Sequence, residues 1–495
     1  MKLSNKVICG FIAIALIISA CSKPNVANSG ESSSTTGWLY NTAENGGYEV
    51  KNVPEQVTGP GLVFVEGGTF TMGRTEQDIA ADWNNVPRRV AVSSFYMDET
   101  EVRNVDYREY LFWLMRVFNE YPAVYRKALP DTLVWRNKMA YNEPYVEYYF
   151  RHPAYNEYPV VGVSWVQAND YCLWRSDRVN EKILIDKGIL QTDPNQVGGE
   201  NFNTDAYLAG QFEGLVGKNE IDVRTGGERK VRMEDGYLLP KYRLPTEAEW
   251  EYSALSLIGN SFDERVYEKR IYPWNGHSMR QSEVGDRGQM RANYVRGRGD
   301  YMGTAGALND VADITAPVKM YWPNDYGLYC MAGNVNEWVM DVYRPLSSED
   351  VNEVRPFRGN VFQEVVRDEE GNVAAKDSLG RIKTQNVTAE NAAGRRNYTK
   401  ADYKNYQDGD FESSTDFSNT EADKGPGSGR MYASKQGDFS SLVSDNVRVY
   451  KGGSWKDRAY WLSPGTRRFL DENGTRDDIG FRCAMTRVGA PVARQ

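Results

Sequence analysis

The stretch Tyr242-Arg243-Leu244-Pro245-Thr246-Glu247-Ala248-Glu249-Trp250-Glu251-Tyr252 decides how the chain is read. Pro245 disfavours helix at Leu244, so the segment enters extended. Thr246 and Glu249 stand in the T-x-x-E spacing of a capping box, which predicts Thr246 as the N-cap. Glu247, Glu249 and Glu251 fall in the first turns, where carboxylates suit the positive end of the helix dipole. Trp250 and Ala254 share a face at i, i+4. Taken alone, these residues spell a well-capped amphipathic core helix.

A second start of the same kind lies upstream. In Pro159-Val160-Val161-Gly162-Val163-Ser164-Trp165, Ser164 and Gln167 form an S-x-x-Q box, and Trp165, Ala168 and Cys172 share a face. Asn104 is placed to cap a third helix. Its apolar set, Tyr107, Tyr110, Leu111, Leu114, Val117 and Phe118, has a helical period and is read as core. Near the front, Leu62-Val63-Phe64-Val65 reads as a strand, 67–73 as a turn and a second strand, and 90–97 as another strand. Residues 121–158 are rich in Tyr and Pro without a steady period, 181–235 are polar and Gly-rich, and 345–445 are a long polar stretch. With 32 Tyr, 12 Trp and 45 Gly, the chain suits a loop-rich α+β fold pinned by aromatics.

Net charge is −9, against a general nucleic-acid surface. Lys2 and Lys6 precede an apolar run at 7–20, too short to span a bilayer and right for a signal h-region. It ends Ile18-Ser19-Ala20-Cys21, which looks like a lipobox. Cleavage before Cys21 would leave a lipid-modified cysteine; an uncleaved anchor or an ordinary signal peptide are the alternatives. The expected organisation is a signal peptide at 1–20, a flexible Ser/Thr/Asn/Gly-rich tether at 21–60 and a globular part at 61–490. Losing Lys2 and Lys6 takes the charge to −11. Of five cysteines, Cys9 leaves with the signal and Cys21 takes lipid. Cys172, Cys330 and Cys483 remain, an odd number that permits one disulfide and one free thiol.

R-L-P-T-E-A-E-W-E-Y at 243–252 resembles the signature of the formylglycine-generating enzyme (sulfatase-modifying factor) family. G-G-x-F-x-M-G at 67–73, Glu101-Val102-x-Asn104, P-V-x-x-V-S-W at 159–165, Tyr272-Pro273-Trp274-Asn275-Gly276, the box at 326–338 and Gly452-Gly453-Ser454-Trp455 resemble further family motifs, in family order. The resemblance implies the loop-rich α+β, C-type-lectin-like fold of that family over 61–490, with insertions at about 113–158, 181–235 and 345–445. The last is either a surface loop or an assembly surface.

Enzymes of the family need two cysteine thiolates for copper(I), a soft ion that soft ligands select. The matching positions here are Asp457 and Leu462. Leu462 ligates nothing, and Asp457 offers hard oxygen. A branch using iron needs three histidines; this chain has two, His152 and His277. There is no G-x-S-x-G elbow and no Walker A motif. The resemblance therefore implies a pseudo-enzyme without a catalytic cofactor. It also implies structural calcium at two sites, one of Asn293, Tyr294, Asp310 and Ala312, the other of Ala332, Gly333, Val335 and Glu337, unless these groups only satisfy turns. Cys172 and Cys483 match a family disulfide, leaving Cys330 free.

A lipoprotein with a degenerate domain of this kind and long insertions resembles the PorK/GldK-type lipoproteins of the type IX secretion and gliding machinery. That implies an outer-membrane lipid anchor facing the periplasm, a self-associated ring, and a periplasmic partner of PorN/GldN type. Rival expectations are a GldJ-like sister lipoprotein, an enzyme of altered chemistry around Asp457, Arg458, Arg467 and Arg468, and a glycan-binding protein.

Overall fold

The computed structural model describes residues 32–51, 55–74, 84–261, 270–296, 312–344, 353–359, 362–386, 403–405 and 446–489. Two four-stranded sheets carry the domain. In the first, β1 (Leu62–Val65), β4 (Phe95–Asp98), β15 (Ala484–Thr486) and β7 (Tyr242–Arg243) run in that order, all antiparallel. In the second, β13 (Arg468–Asp471), β12 (Val447–Lys451) and β8 (Asn336–Val342) are antiparallel, and β14 (Ile479–Gly480) joins β8 in parallel. A hairpin of β2 (Gly68–Met72) and β3 (Arg88–Val92) completes the core strands. Helices α1 (Asn104–Val117), α2 (Pro122–Ala128), α3 (Glu143–Tyr148), α4 (Trp165–Asp186), α5 (Thr204–Leu208) and α6 (Glu247–Ser261) make the class α+β, as expected.

The two capping boxes form. Glu249 N donates to Thr246 Oγ1 at 3.2 Å while Thr246 N donates to Glu249 Oε2 at 2.9 Å. Gln167 N and Ser164 Oγ, with Ser164 N and Gln167 Oε1, repeat the pattern at α4. Both helices bury the predicted face: Trp250, Ala254, Ala168 and Cys172 have no exposed surface. Helix α6 breaks at Ser256, whose φ of +57° is not helical. Around α1 and α4 the core gathers Tyr107, Leu111, Leu114, Trp165, Cys172 and Phe481; a second cluster joins Phe70, Met97, Trp250, Val339 and Val449. Removing one such large side chain costs about 3–5 kcal/mol.

Several expectations need correction. Asn104 is not the cap of α1 but its first residue. Its buried amide donates to the carbonyls of Tyr149 and Tyr155, and the helix start is closed by Asp106 accepting Arg103 N. Residues 90–97 are two strands in different sheets, turned at Ser93-Ser94. Gly67 lies so close that a Cβ there would meet Val92 O at 2.4 Å. The supposed tether is described at 32–51 and from 55, and it is bonded to the domain at Glu49 and Gln56. Asn41 brackets Val50 with two hydrogen bonds, Glu49 pairs with the buried Arg229, and Gln56 accepts Val488 N. Arg229 is also gripped by Asp235, so Glu49 supplies the second acid a buried guanidinium needs.

The insertions are folded where they are described. α1 runs to Val117 and α4 to Asp186, so each helix continues a few residues past the expected start of an insertion. Segment 181–235 has its own small core of Leu184, Ile189, Leu190, Phe202, Tyr207, Phe212 and Val231. It also carries the two-residue strands β5 (Glu220–Ile221) and β6 (Glu228–Arg229). In 345–445, Glu353 and Arg355 pair with Ala91 on the free edge of β3. Strands β9 (Phe362–Val365), β10 (Thr384–Asn386) and β11 (Tyr403–Asn405) form a small sheet. Its loop hangs on the other insertion: Gln211 Nε2 donates to Val373 O and Ala374 O, and Asn201 Nδ2 to Leu379 O. The signal segment, Cys21, Asp310 and most of 345–445 lie outside the described residues. Among the described residues, no helix is long and apolar enough to cross a membrane.

Candidate functional site

The site begins where β12 ends. Gly452 and Gly453 have φ of +100° and +72°, and a Cβ on Gly453 would meet Leu462 Cδ1 at 2.8 Å. That turn brings Ser454 and Asp457 against β8 and β13. Asp457 Oδ1 accepts Arg468 Nη1 at 2.7 Å, and Oδ2 accepts Arg468 Nη2 at 2.7 Å and Ser454 Oγ at 2.7 Å. Asn336 Nδ2 adds a longer contact at 3.3 Å. The Arg468 guanidinium also stacks 4.6 Å from the Trp461 ring centroid and 5.0 Å from that of Tyr450. Burial is the largest influence on Asp457 and raises its pKa, but the hydrogen bonds and charge of Arg468, together with the Ser454 and Asn336 hydrogen bonds, outweigh it and hold the carboxyl below its ordinary range.

Leu462 ends the short 3-10 turn Ala459–Leu462. It has no exposed surface and packs with Met290, Ala292, Tyr294 and Ala332, beneath Tyr272 and Trp274. One of the two positions is thus a satisfied ion pair and the other an apolar plug. Neither presents a nucleophile or a soft ligand. Arg467 is buried and pairs with Glu247, whereas Arg458 is exposed. His152 Nδ1 accepts Ala154 N and caps the start of the 3-10 turn Pro153–Tyr155; His277 is exposed.

Behind this surface lies a buried ionic network that sequence reasoning saw only in part. The signature acids Glu247 and Glu251 both pair with Lys451, at 3.2 and 3.0 Å, all three buried. Asp341 accepts Glu247 N at 2.7 Å, and burial followed by the charge of Glu247 pushes its pKa up to about 7. Lys451 and Asp341 gave no signal in the sequence, because their partners lie about a hundred residues or more away.

The calcium sets fare differently. Glu337 is fully used: Arg482 Nε and Nη2 donate to its two oxygens at 2.6 and 2.5 Å, and Trp250 Nε1 donates at 2.7 Å. Ala332, Gly333, Val335 and Glu337 therefore offer no free side-chain oxygen. The less compensated carboxylate there is Glu101, which that set omits; the Arg482 charge and the Asn334 and Val335 hydrogen bonds offset its burial only in part. It is buried and accepts Asn334 Nδ2 at 3.0 Å. Burial, then the charge of Glu337, lifts its pKa well above the carboxylate range. Glu101 fits a cation better than Glu337 does. In the other set, Asn293 Nδ2 donates to Ile314 O and Asn293 O accepts Asn334 N, while Asp310 is outside the described residues. Among the described residues, no three His, Cys, Asp or Glu side chains converge.

Cys172 Sγ and Cys483 Sγ lie 3.3 Å apart, both wholly buried. The structure brings the expected pair together as two thiols and not as a bond. Cys330 is a separate buried thiol, its pKa raised by burial and then by Glu101.

An α+β domain with a Gly-Gly turn, a buried acid–lysine network and an apolar plug defines the scaffold. Residues 48–487 match the family described as "Sulfatase-modifying factor enzyme 1-like domain", and the chain belongs to that family. It is similar to the mouse formylglycine-generating enzyme, 26% identical over 320 residues, covering 59% of this chain and 62% of the relative. It is also similar to the mouse inactive C-alpha-formylglycine-generating enzyme 2, 24% identical over 327 residues, covering 61% and 73%. The chain thus spans about three fifths of the length of the first of these. Among solved structures, PvdO from Pseudomonas aeruginosa aligns at 14% identity and a TM-score of 0.42, covering 88% of this chain and 100% of that one.

Proposed function

We propose that the chain is a non-catalytic structural lipoprotein of PorK/GldK type in the type IX secretion machinery. In this reading Cys21 carries the lipid in the outer membrane, and the domain faces the periplasm. It assembles with its own copies into a ring and with a PorN/GldN-type partner, and so supports protein export. The observation that carries the reading is the Asp457–Arg468 pair beside the buried Leu462. Asp457 and Leu462, which stand where the resemblance expects the enzymes' metal ligands, are held in an ion pair and in apolar packing. Relatives with the same domain include proteins named inactive, which allows such a role. The Tyr-rich segment supplies a candidate contact surface, with Leu133, Met139 and Tyr141 exposed by 57%, 93% and 84%. Aromatic and Met side chains of this kind are enriched at interfaces. Calcium, held by Glu101 with backbone carbonyls around Gly333, is proposed as a structural ion only.

The test is a crosslinked pull-down of the mature lipoprotein from its own outer membranes, repeated with 345–445 deleted. Large multimers with one stoichiometric periplasmic partner are expected. A monomer without a partner would overturn the assembly. Multimers that survive the deletion would move the interface to the core or to 121–158.

A further inference from the structure

A cavity of about 190 Å³ lies where α1 and α4 meet both insertions. That exceeds the roughly 150 Å³ in which an engineered protein cavity holds benzene. Junctions of this kind are favoured places for small-molecule sites. Tyr110, Trp113 and Trp174 give it an aromatic wall, with the Tyr110 and Trp174 rings 5.1 Å apart.

Most of its polar lining is already used within the protein. Asp177 accepts Thr204 N and Asn203 Nδ2, at 2.9 and 3.0 Å. Asp205 pairs with Lys241 at 2.7 Å. Asn201 donates to Leu379 O, and Ser176 Oγ to Cys172 O. The Trp113 and Trp174 indole N–H groups have no hydrogen-bond partner among the described residues, and two charged groups are left over as well. Among the described residues, neither the half-buried Asp170 carboxylate nor the exposed Arg381 guanidinium makes a side-chain hydrogen bond or an ion pair. They feel each other's charge without bonding, and Asp170 also feels, more weakly, that of Lys127.

The set of free groups restricts the ligand. A neutral sugar would leave both charges unanswered. An amine alone would leave Arg381 unanswered, and an acid alone would leave Asp170 unanswered. We propose that this cavity binds a free α-amino acid with an apolar side chain, its ammonium on Asp170, its carboxylate on Arg381 and its side chain against the aromatic wall. The fit of charge to charge in a partly dry pocket supplies selectivity, and the rings supply contact area. Burial lifts the Asp170 carboxyl above its ordinary range while Arg381 lowers it, and an ammonium would complete that compensation. Because Arg381 belongs to 345–445 and Asp170 to the core, the occupant would also tie the insertion to the domain.

The experiment is titration calorimetry on the full chain with phenylalanine, leucine and methionine. N-acetylphenylalanine, which lacks the ammonium, phenylalaninamide, which lacks the carboxylate, and N-acetylglucosamine serve as comparisons. At least one free amino acid is expected to bind saturably, with the derivatives roughly tenfold or more weaker. Asp170→Asn and Arg381→Ala should each weaken binding by a similar factor; Arg381 is exposed, so its loss leaves the fold intact. No binding by any free amino acid, equal binding by a singly charged derivative (as the end of a peptide would show), or binding by the sugar would overturn the proposal.

Discussion

Asp457 is held on both carboxylate oxygens by the guanidinium of Arg468, two contacts of 2.7 Å between a loop and a strand. Fork-to-fork pairing of this kind fixes geometry as well as charge. Arg468→Met would leave a mostly buried carboxylate without its counter-charge, held only by Ser454 and Asn336, and should cost about 3 kcal/mol in urea unfolding at neutral pH. The Asp457 pKa is lowered in the folded state, so the pair stabilises fully above the unfolded value of about 3.9. That contribution disappears as pH falls through the folded value. The gap between wild type and Arg468→Met should therefore close in acid. A gap that stays constant with pH would mean the loss is one of packing alone.

Glu101 behaves in the opposite sense. Its folded pKa is raised, so the ionised group disfavours the native state above the unfolded value of about 4.3. In chelator, Glu101→Gln should melt higher than wild type at neutral pH, and the difference should shrink as pH falls towards that value. Calcium should reverse the order. It should stabilise the wild type by about 2.7 kcal/mol at a hundredfold excess over its dissociation constant, raising its midpoint, and leave Glu101→Gln unmoved. Scanning calorimetry with and without calcium separates the two effects, and identical calcium responses would remove Glu101 from any ion site.

How much could be read in advance depends on the range of the interaction. Thr246 with Glu249, and Ser164 with Gln167, act over three residues, so their spacing carries the whole signal and both caps formed as read. The helical faces of Trp250 and Cys172 were legible for the same reason. Asn104 misled because an Asn at a helix start can cap or can turn inward; here Tyr149 and Tyr155 carbonyls outbid the helix's own donors. Glu49 with Arg229, and Gln211 with Val373, join segments more than 160 residues apart, beyond any periodicity. The candidate site was legible only as Asp457 and Leu462, standing where the resemblance expects two cysteines. Its content, an arginine clamp and an apolar plug, needed β8 and β13 in place.

Cys172 and Cys483 offer a direct chemical readout. Their sulfurs are 3.3 Å apart and wholly buried, in helix α4 and beside β15. Protein purified from an oxidising compartment should show, after unfolding in alkylating reagent without reductant, label on Cys330 and none on the other two. Cys483→Ser should then destabilise by about 2–5 kcal/mol under oxidising conditions and by much less in reductant. Three labelled cysteines in the unreduced protein would leave the pair as thiols.

The docking of one insertion on the other is testable at a single side chain. Gln211 donates to Val373 O and Ala374 O at 3.0 and 3.1 Å and accepts Lys376 N at 2.8 Å, three bonds to one short loop. Each such bond contributes about 1 kcal/mol net, and together they hold a segment that has little apolar surface of its own. Gln211→Ala should speed amide exchange across 373–381 by a factor of ten or more, since about 1.4 kcal/mol of local stability corresponds to tenfold. Amides of α6, in the separate core built around Trp250, should keep their protection. Exchange that rises equally in both places would mean that the insertions unfold only with the domain, and that Gln211 is a bond in one cooperative unit instead of a local latch.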